Sequence, residues 1–354
     1  MTEKAYSGAA GSSTFAGSES RKYNYYEPAG RRATLYEDVT VDVQPDPSRH
    51  LLQGWIMSFA DGQPTYGEYT TVIKCADWHV FRAPDQEWSR THYQRQSHIE
   101  NTIKMVVDNA RSDGAPGRFS KPWVGVLQDH FGAIKHAEFG LGVALMKAQR
   151  DGLTQMVNNT MLTNASYKLR LSQDITLYLG DIGMDITIDA DAGKKTWMED
   201  ANWQGARKAV EAILAATDHM EIYFAVNVVF EALVGEVFRS GFIMRAGPNF
   251  NDFVTPAVVS AASEDYRRNL ANTLTLFALV NGDAESGAAN KKIMTGWLAK
   301  YLPLCMDATA QLKPVWTSAG DSGADFDSAL VEAKTKFAEI LAEIDVSLPE
   351  GTAL

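Results

Sequence analysis

The sequence predicts an all-α protein built as a large bundle of long helices, and three observations carry this prediction. From about residue 86 onward the chain consists of helix-like segments, roughly 25–45 residues each, joined by short loops. In the segment at 218–242 the apolar residues spread around the whole helix circumference, which is typical of a helix surrounded by others. The alternating patterns that indicate strands are nearly absent.

The first predicted helix is DQEWSRTHYQRQSHIENTIKMVVDNARSDGAPG, which ends at a Gly-Pro loop. Two long segments follow, beginning at Lys121 and Leu153. The stretch MDITIDADAGKKT separates them from the longest predicted helix, roughly 197–242. Thr255 and Pro256 then mark another helix start, because threonine is a good N-cap and proline suits the first helical position.

Two more helical segments are predicted within 288–317, bounded by Pro303 and Pro314. The last helix is ADFDSALVEAKTKFAEILAEID, in which the apolar residues recur at helical spacing. This spacing gives the final helix one side that faces the core or a partner. The predicted helical domain therefore covers 86–354.

The N-terminal quarter of the chain has a different character. Residues 1–20 are rich in Ser, Gly and Ala, a composition typical of disorder. Residues 21–85 contain many aromatic residues but no lasting helical period, so they predict an extended arm that lies on another surface. That surface is either the protein's own domain or another subunit.

Composition excludes several classes of protein. The net charge of -11 argues against nucleic-acid binding, because no basic surplus is present to neutralise phosphates. Two cysteines without CxxC spacing indicate a reduced setting and not a disulfide framework. No secretory h-region and no run of 18 apolar residues is present, so the sequence predicts a soluble cytoplasmic protein.

The stretch DHMEIYFAVNVVFEALVGEVFR places acids and a histidine among large apolar residues, which raises the question of a metal site. Helical bundles that bind two irons use Glu-x-x-His motifs, because residues i and i+3 share one face. None of the seven histidines has an acidic residue three positions before it. We therefore expect no metal site here. Instead the acids should pair with Lys or Arg of adjacent helices or meet a subunit interface; they are Asp218, Glu221, Glu231 and Glu236.

Other candidate sites are weaker still. The DADAG stretch at 189–193 lacks the oxygen ligand and the glycine that a calcium loop requires, because Gly193 and Lys194 stand there. The GLG at 140–142 lies inside a helical segment and is not a dinucleotide-binding turn. The Walker pattern, HExxH and GxSxG are absent from the sequence.

Several stretches together resemble the small, or beta, subunit of the hydroxylase component of bacterial soluble multicomponent di-iron monooxygenases. They are RRATLYEDVTVDVQPDPSRHLLQGW, DWHVFRAPDQEWSRTHY, NASYKLRLSQDITLYLGDIG, GPNFNDFVTP, EDYRRNL and, most specifically, WMEDANWQGARKAVEAILAATDHMEIYFAVNVVFEALVGEVFR. The resemblance covers roughly residues 30–345 and is strongest to propane-oxidising members of the family.

The resemblance implies a ferritin-like, ribonucleotide reductase-like helical fold that serves as scaffold. In this family the hydroxylase is a dimer of heterotrimers with large (alpha), small (beta) and smallest (gamma) subunits. The large subunit holds the di-iron centre, and a reductase with FAD and an iron–sulfur cluster passes electrons from NADH. A coupling protein regulates turnover, in which one oxygen atom of O2 enters a C–H bond of a small hydrocarbon.

For this chain the resemblance implies no catalytic, cofactor-binding or metal-binding residue. It also gives the arm a role as an anchor on a partner, since Tyr, Trp and Arg commonly carry interface energy. The candidate interface residues are Tyr25, Tyr26, Arg31, Arg32, Tyr36 and Trp55.

Three alternatives stay open at this point. The substrate could be another alkene, a phenol or an aromatic compound and not an alkane. The chain could be a self-sufficient ferritin-like metalloprotein, which the missing Glu-x-x-His motifs disfavour. It could also be a helical interaction protein unrelated to oxygenation.

Overall fold

The computed structural model describes residues 5–6, 21–22, 33–41, 70–352 and 354. Two short strands, β1 (Ala5–Tyr6) and β2 (Arg21–Lys22), pair antiparallel, with Ala5 opposite Lys22. Within these described ranges the α-helices are α1 (Ser89–Ser112), α2 (Lys121–Val126), α3 (Gly132–Asp151), α4 (Gln155–Ile182), α5 (Ala192–Glu199), α6 (Ala201–Ala215), α7 (His219–Phe224), α8 (Met244–Ala246), α9 (Thr255–Asn281), α10 (Gly287–Leu312) and α11 (Phe326–Glu343).

Shorter helical pieces connect these elements. The π-helical turns or segments are Glu37–Val41, Leu127–Phe131, Ala225–Gly235 and Val237–Ile243. The 3-10 turns are Trp78–Val80, Pro116–Arg118, Gly247–Phe250 and Lys313–Thr317. Most of the region predicted as a disordered tail and an extended arm lies outside the described residues, so those two boundaries stay predictions.

Short polar side chains set several helix starts. Asp218 Oδ1 accepts hydrogen bonds from the backbone N–H groups of Met220 and Glu221 at 2.8 and 3.2 Å, which is N-cap geometry. At α9 the N-cap residue is Val254 and not the predicted Thr255, and Asp252 Oδ1 accepts from the Val254 and Thr255 backbone N–H groups at 2.9 Å each just before the helix begins. Ser120, Thr154, Asp200 and Asp325 cap α2, α4, α6 and α11 in the same way.

The longest predicted helix, 197–242, is wrong as a single element. The chain breaks after Glu199 and again at 216–218, where Asp218 starts a new helix. From α7 the helix continues through Ala225–Gly235 and Val237–Ile243, and we refer to 219–243 as the central helix. Every residue of Ala225–Gly235 is buried, which confirms that this part of the chain is surrounded by other helices.

The bundle packs around the central helix. Helices α3 and α4 form a close pair, α6 packs on α10, and α9, α10 and α11 cover the central helix. Helices α3 and α5 approach each other closely where Gly132 meets Gly193. A side chain would not fit there, since a Cβ on Gly193 would lie 2.5 Å from the carbonyl carbon of Gly132. This lets the start of α5 rest directly on the start of α3.

Candidate functional site

The centre of the bundle contains four buried charged side chains that form a closed ring of ion pairs. Lys168 Nζ lies 2.8 Å from Glu138 Oε2 and 2.6 Å from Glu231 Oε1. Arg239 completes the ring, with Nη1 on Glu138 Oε1 and Nη2 on Glu231 Oε2. Each cation therefore bridges both carboxylates, and we call Glu138, Lys168, Glu231 and Arg239 the ion ring.

The ring joins three helices. Glu138 comes from α3, Lys168 from α4, and Glu231 and Arg239 from the two π-helical segments of the central helix. Gly235 makes room for it, since a Cβ there would lie 2.8 Å from Glu231 Oε1 and 3.0 Å from Arg239 Nη1. Long π-helical stretches are rare and occur mostly at functional sites, so this part of the central helix is the first place to look for a function.

Mutual neutralisation makes the ring's burial possible. Both carboxylates and Arg239 are at most 1% exposed, a position in which an isolated charge would be very costly. Burial alone would raise the pKa of Glu231, but Arg239 and Lys168 outweigh it and lower that pKa to about 2. The same carboxylates keep the pKa of Arg239 well above its ordinary value in spite of burial.

The ring residues do not fit a pair of irons. All four carboxylate oxygens of Glu138 and Glu231 already face a cationic nitrogen, so neither carboxylate has an oxygen left to bind a metal. Neither glutamate has a histidine three residues later, since Leu141 and Val234 occupy those positions. Elsewhere in the described ranges, no three His, Cys, Asp or Glu side chains converge as metal ligands.

The predicted pairing of the four acids at 218–236 with Lys or Arg of adjacent helices is confirmed for two of them. Glu221 accepts hydrogen bonds from Lys300 Nζ and Tyr301 Oη, both at 2.7 Å, and Glu231 pairs with Lys168 in the ion ring. Glu236 instead pairs within its own helix, where its Oε1 accepts from Arg239 Nη2 at 3.0 Å. The pairing prediction is wrong for Asp218, which caps α7 and also accepts from the Val72 backbone N–H at 2.7 Å.

His219, the histidine of the same stretch, makes a backbone contact. Its Nδ1 donates to the Thr70 carbonyl oxygen at 3.0 Å, and burial lowers its pKa, so the imidazole is neutral. The ring partners Glu138 and Lys168 were missed at the sequence level. A usable signal existed for Glu138, because it stands among the apolar residues of the buried face of α3. Lys168 was harder to single out, since the buried face of α4 also carries Asn164 and Asp174.

A second ion network lies where α1, α4 and α9 meet. Arg95 Nε donates to Glu87 Oε1 at 2.9 Å, and Arg95 Nη1 donates to Asp265 Oδ1 at the same distance. Arg170 Nη2 pairs with the other oxygen of Asp265, and Arg170 Nε lies 3.7 Å from Asp174 Oδ2. This network fastens the first long helix to the bundle.

Asp174 is the member of that network whose negative charge is poorly compensated by neighbouring cations. We therefore predict that the stability of the protein depends on pH. Burial, with smaller contributions from Glu100 and Asp265, raises the pKa of Asp174 from 3.8 to about 6, although Arg170 opposes the shift. Between these pH values the folded chain binds the proton more tightly than the unfolded chain, so stability falls as pH rises through the window. Above pH 6 the ionised carboxylate costs roughly 1–3 kcal/mol.

We therefore expect Asp174→Asn to stabilise the protein at pH 8 by roughly 1–3 kcal/mol and to have a much smaller effect near pH 4.5. Urea unfolding of both proteins at the two pH values measures the difference. Asp181→Asn, a less buried change on the same helix, is the control, and it should alter the free energy of unfolding by no more than about 0.5 kcal/mol. A gain of equal size at both pH values would contradict the assignment.

The candidate interface residues are mostly outside the described part of the chain: Tyr25, Tyr26, Arg31, Arg32 and Trp55. Tyr36 is described and is 3% exposed within its own chain. Its hydroxyl accepts a hydrogen bond from the Ala83 backbone N–H at 3.1 Å, and Thr34 and Glu37 form a reciprocal cap around it. This hydrogen bond joins two parts of the predicted arm, and the interface role of all six residues stays a prediction.

With the bundle and its ring established, comparison with known proteins decides the family. The family model for methane, phenol and alkene hydroxylases matches residues 55–284. The chain belongs to the methane/phenol/alkene hydroxylase family. An unrelated helical interaction protein is thereby set aside.

The relatives of this hydroxylase chain are small subunits. The propane 2-monooxygenase hydroxylase component small subunit of Mycolicibacterium smegmatis is 40% identical over 343 residues, which cover 96% of this chain and 93% of that protein. The methane monooxygenase component A beta chain of Methylosinus trichosporium is 27% identical, covering 86% of this chain and 80% of that protein. The predicted resemblance to hydroxylase beta subunits, strongest to propane-oxidising members, is confirmed.

The fold agrees with the same family. A chain of phenol hydroxylase from Pseudomonas sp. OX1 superposes with a TM-score of 0.71 at 19% identity, covering 91% of this chain and 93% of that one. A chain of toluene 4-monooxygenase gives 0.65 at 18% identity, covering 70% and 81%. The predicted all-α, ferritin-like bundle is confirmed. In the described part of this hydroxylase subunit, no helix is long and apolar enough to cross a bilayer.

Proposed function

We propose that this chain is a non-catalytic structural subunit of a di-iron hydroxylase that inserts one oxygen atom of O2 into a small alkane, with NADH as the electron source. The observation that carries the non-catalytic role is the ion ring, in which Lys168 and Arg239 occupy all four oxygens of the two central carboxylates. The relatives at 38–40% identity, all named propane 2-monooxygenase hydroxylase small subunits, support propane as the substrate.

The proposal assigns the chemistry to partner chains. The large subunit would hold the di-iron centre, and the smallest subunit would complete a dimer of heterotrimers in the cytoplasm. A reductase with FAD and an iron–sulfur cluster and a coupling protein would bind transiently. The N-terminal arm, with its Tyr and Arg residues, would anchor this chain within the assembly.

What this chain supplies is a rigid support. The ion ring joins α3, α4 and the central helix at one point, and a second point is the pair of hydrogen bonds of Asn227. Asn164 Nδ2 donates to Asn227 Oδ1 at 2.9 Å, and Asn227 Nδ2 donates to Thr273 Oγ1 at 3.0 Å. Buried polar networks that join several helices favour a single arrangement of those helices, which suits a scaffold.

The test compares this chain alone with this chain co-expressed with the larger hydroxylase subunit of the same host. We expect the isolated chain to contain far less than one iron per chain and to oxidise no propane. The complex should contain iron and, with reductase, coupling protein, NADH and O2, should convert propane to an alcohol. Iron analysis and product detection by gas chromatography provide the two measurements.

The same experiment separates the alternatives. Stoichiometric iron or oxidation by the isolated chain would support a self-sufficient metalloprotein and overturn the proposal. The substrate class is determined by measuring the oxidation of propane, a short alkene, phenol and toluene by the complex. More distant relatives are named toluene-4-monooxygenase and phenol 2-monooxygenase, at 21% and 22% identity, so these aromatic compounds are the relevant competitors.

A further inference from the structure

One side of the α3–α4 pair exposes an apolar stripe. Phe139, Val143 and Met146 follow one another at i, i+4 and i+7, so they lie along a single face of α3. Their exposed fractions are 55%, 40% and 37%, although the opposite side of the same helix is fully buried.

Leu169 of α4 lies beside this stripe. A Cβ on Gly142 would lie 2.8 Å from Leu169 Cδ2, so α4 packs directly against α3 beside Val143. We call Phe139, Val143, Met146 and Leu169 the α3–α4 outer face.

Between Phe139 and Met146 this face lacks exposed charge, and it is bounded by half-buried Lys135 one turn before Phe139 and by Arg150, 63% exposed, one turn after Met146. Across 136–149 and 156–172, which lie wholly within the described chain, every charged side chain is turned inward or already bonded. Glu138, Lys168 and Arg170 belong to the buried networks, and half-buried Lys147 donates to the Ala216 carbonyl oxygen at 2.6 Å. The outer side of α11, in contrast, exposes Glu332, Lys336 and Glu339. An uncharged apolar strip on a chain that is 22% charged marks an interaction surface.

The chemistry of the face indicates a permanent partner. Permanent interfaces are more apolar than transient ones, and the centres of interfaces are depleted in charge. Transient docking of a reductase or a coupling protein would instead call for a more polar surface. The relatives, covered over 93% of their length, are named small subunits of a hydroxylase component, a name that implies a larger subunit beside them.

We propose that the α3–α4 outer face is the surface on which the larger hydroxylase subunit packs. This inference relies on the proposed function for the identity of the partner. The face also adjoins the ion ring, because Phe139 follows Glu138 and Leu169 follows Lys168 in the chain. Packing there would clamp the two helices that supply half of the ring.

The test places a charge on this face and an identical charge elsewhere. Val143→Lys and Phe139→Arg are paired with Val331→Lys on α11 and Phe253→Arg, whose native side chains are 62% and 70% exposed. We expect each face variant to raise the Kd for the purified larger subunit of the same host at least about tenfold, since burying an unpaired charge is costly. The control variants should stay within about threefold of the unchanged chain.

Because all four positions are exposed, thermal unfolding of the isolated variants should match that of the unchanged chain, and Val143→Ser provides a milder second change at the face. Unchanged affinity of both face variants would overturn this inference and leave the proposed function standing. Failure of the unchanged chain to bind the larger subunit would overturn both. A homodimer of the isolated chain that Val143→Lys dissociates would assign the face to a second copy instead.

Discussion

Replacing Arg239 with methionine should lower the free energy of unfolding by about 3–5 kcal/mol. The change removes two of the four ion pairs of the ring and leaves Glu138 and Glu231 facing each other with Lys168 alone. Both carboxylates are fully buried, so water cannot screen the surplus negative charge. Urea unfolding followed by circular dichroism at pH 7 measures the loss.

Arg267→Met is the matched control for that experiment. Arg267 also pairs with a glutamate, Glu264, at 2.6 Å, but it is 77% exposed. Exposed pairs contribute about 0–1 kcal/mol, so the control should remain close to the unchanged protein. Equal losses in the two variants would show that the ring contributes no more than a surface pair.

The ion ring should also determine the pH range in which the protein loses stability in acid. Since the folded pKa of Glu231 is lowered from 4.5 to about 2, its contribution is fully present above pH 4.5 and is lost as pH falls toward 2. In Arg239→Met this acid-dependent part should be much reduced, because the cation that lowers the pKa most is gone. The pH dependence of unfolding is thus a second measure of the same ring.

Replacing Trp203 with alanine should cost a comparable amount, about 3–5 kcal/mol. The indole is fully buried and packs edge-to-face on Phe238, with ring centroids 5.2 Å apart. Its Nε1–H also donates to His130 Nδ1 at 3.0 Å. Burial lowers the pKa of His130, so the neutral imidazole is available as the acceptor.

Trp203→Phe separates packing from hydrogen bonding at this site. Phenylalanine keeps most of the ring contact with Phe238 but cannot donate to His130, so we expect a smaller loss of about 1–2 kcal/mol. Urea unfolding of both variants gives the two values. Similar losses for alanine and phenylalanine would mean that the hydrogen bond, and not the buried indole, dominates.

Local sequence patterns were sufficient for much of the fold. Helical periodicity located the long helices, and the circumferential apolar pattern of Ile222, Val226 and Phe230 correctly predicted a fully buried helix. The missing Glu-x-x-His motifs were also visible without coordinates, because that test needs only the spacing between residues.

Features that depend on distant parts of the chain were not predictable. Beside its local N-cap bonds, Asp218 accepts from the backbone N–H of Val72, 146 residues earlier in the sequence, a contact that no local pattern indicates. Pro303 was expected to separate two helices, yet α10 runs through it from Gly287 to Leu312. Packing of this buried helix outweighs the local cost of about 3 kcal/mol for an interior proline.

The ion ring was predictable from the sequence only in part. Glu231 and Arg239 stand eight residues apart in one helix, but their shared partners Glu138 and Lys168 come from two other helices. A helical wheel at 100° per residue misplaces Glu231 relative to Arg239, because the chain between them is wound as π-helix. The charge on the buried face of α3 was the signal that could have added Glu138 to the set.

The closed geometry of the ring has a consequence for how the chain folds. Glu231 can pair with Arg239 within the central helix and Glu138 with Lys168 within the α3–α4 pair, but the ring closes and all four charges lose water only when the three helices have come together. The ring should therefore form after the rate-limiting step of folding and hold the native state afterwards. Interactions of that kind act mainly by slowing unfolding, which gives a scaffold a long lifetime and not a fast assembly.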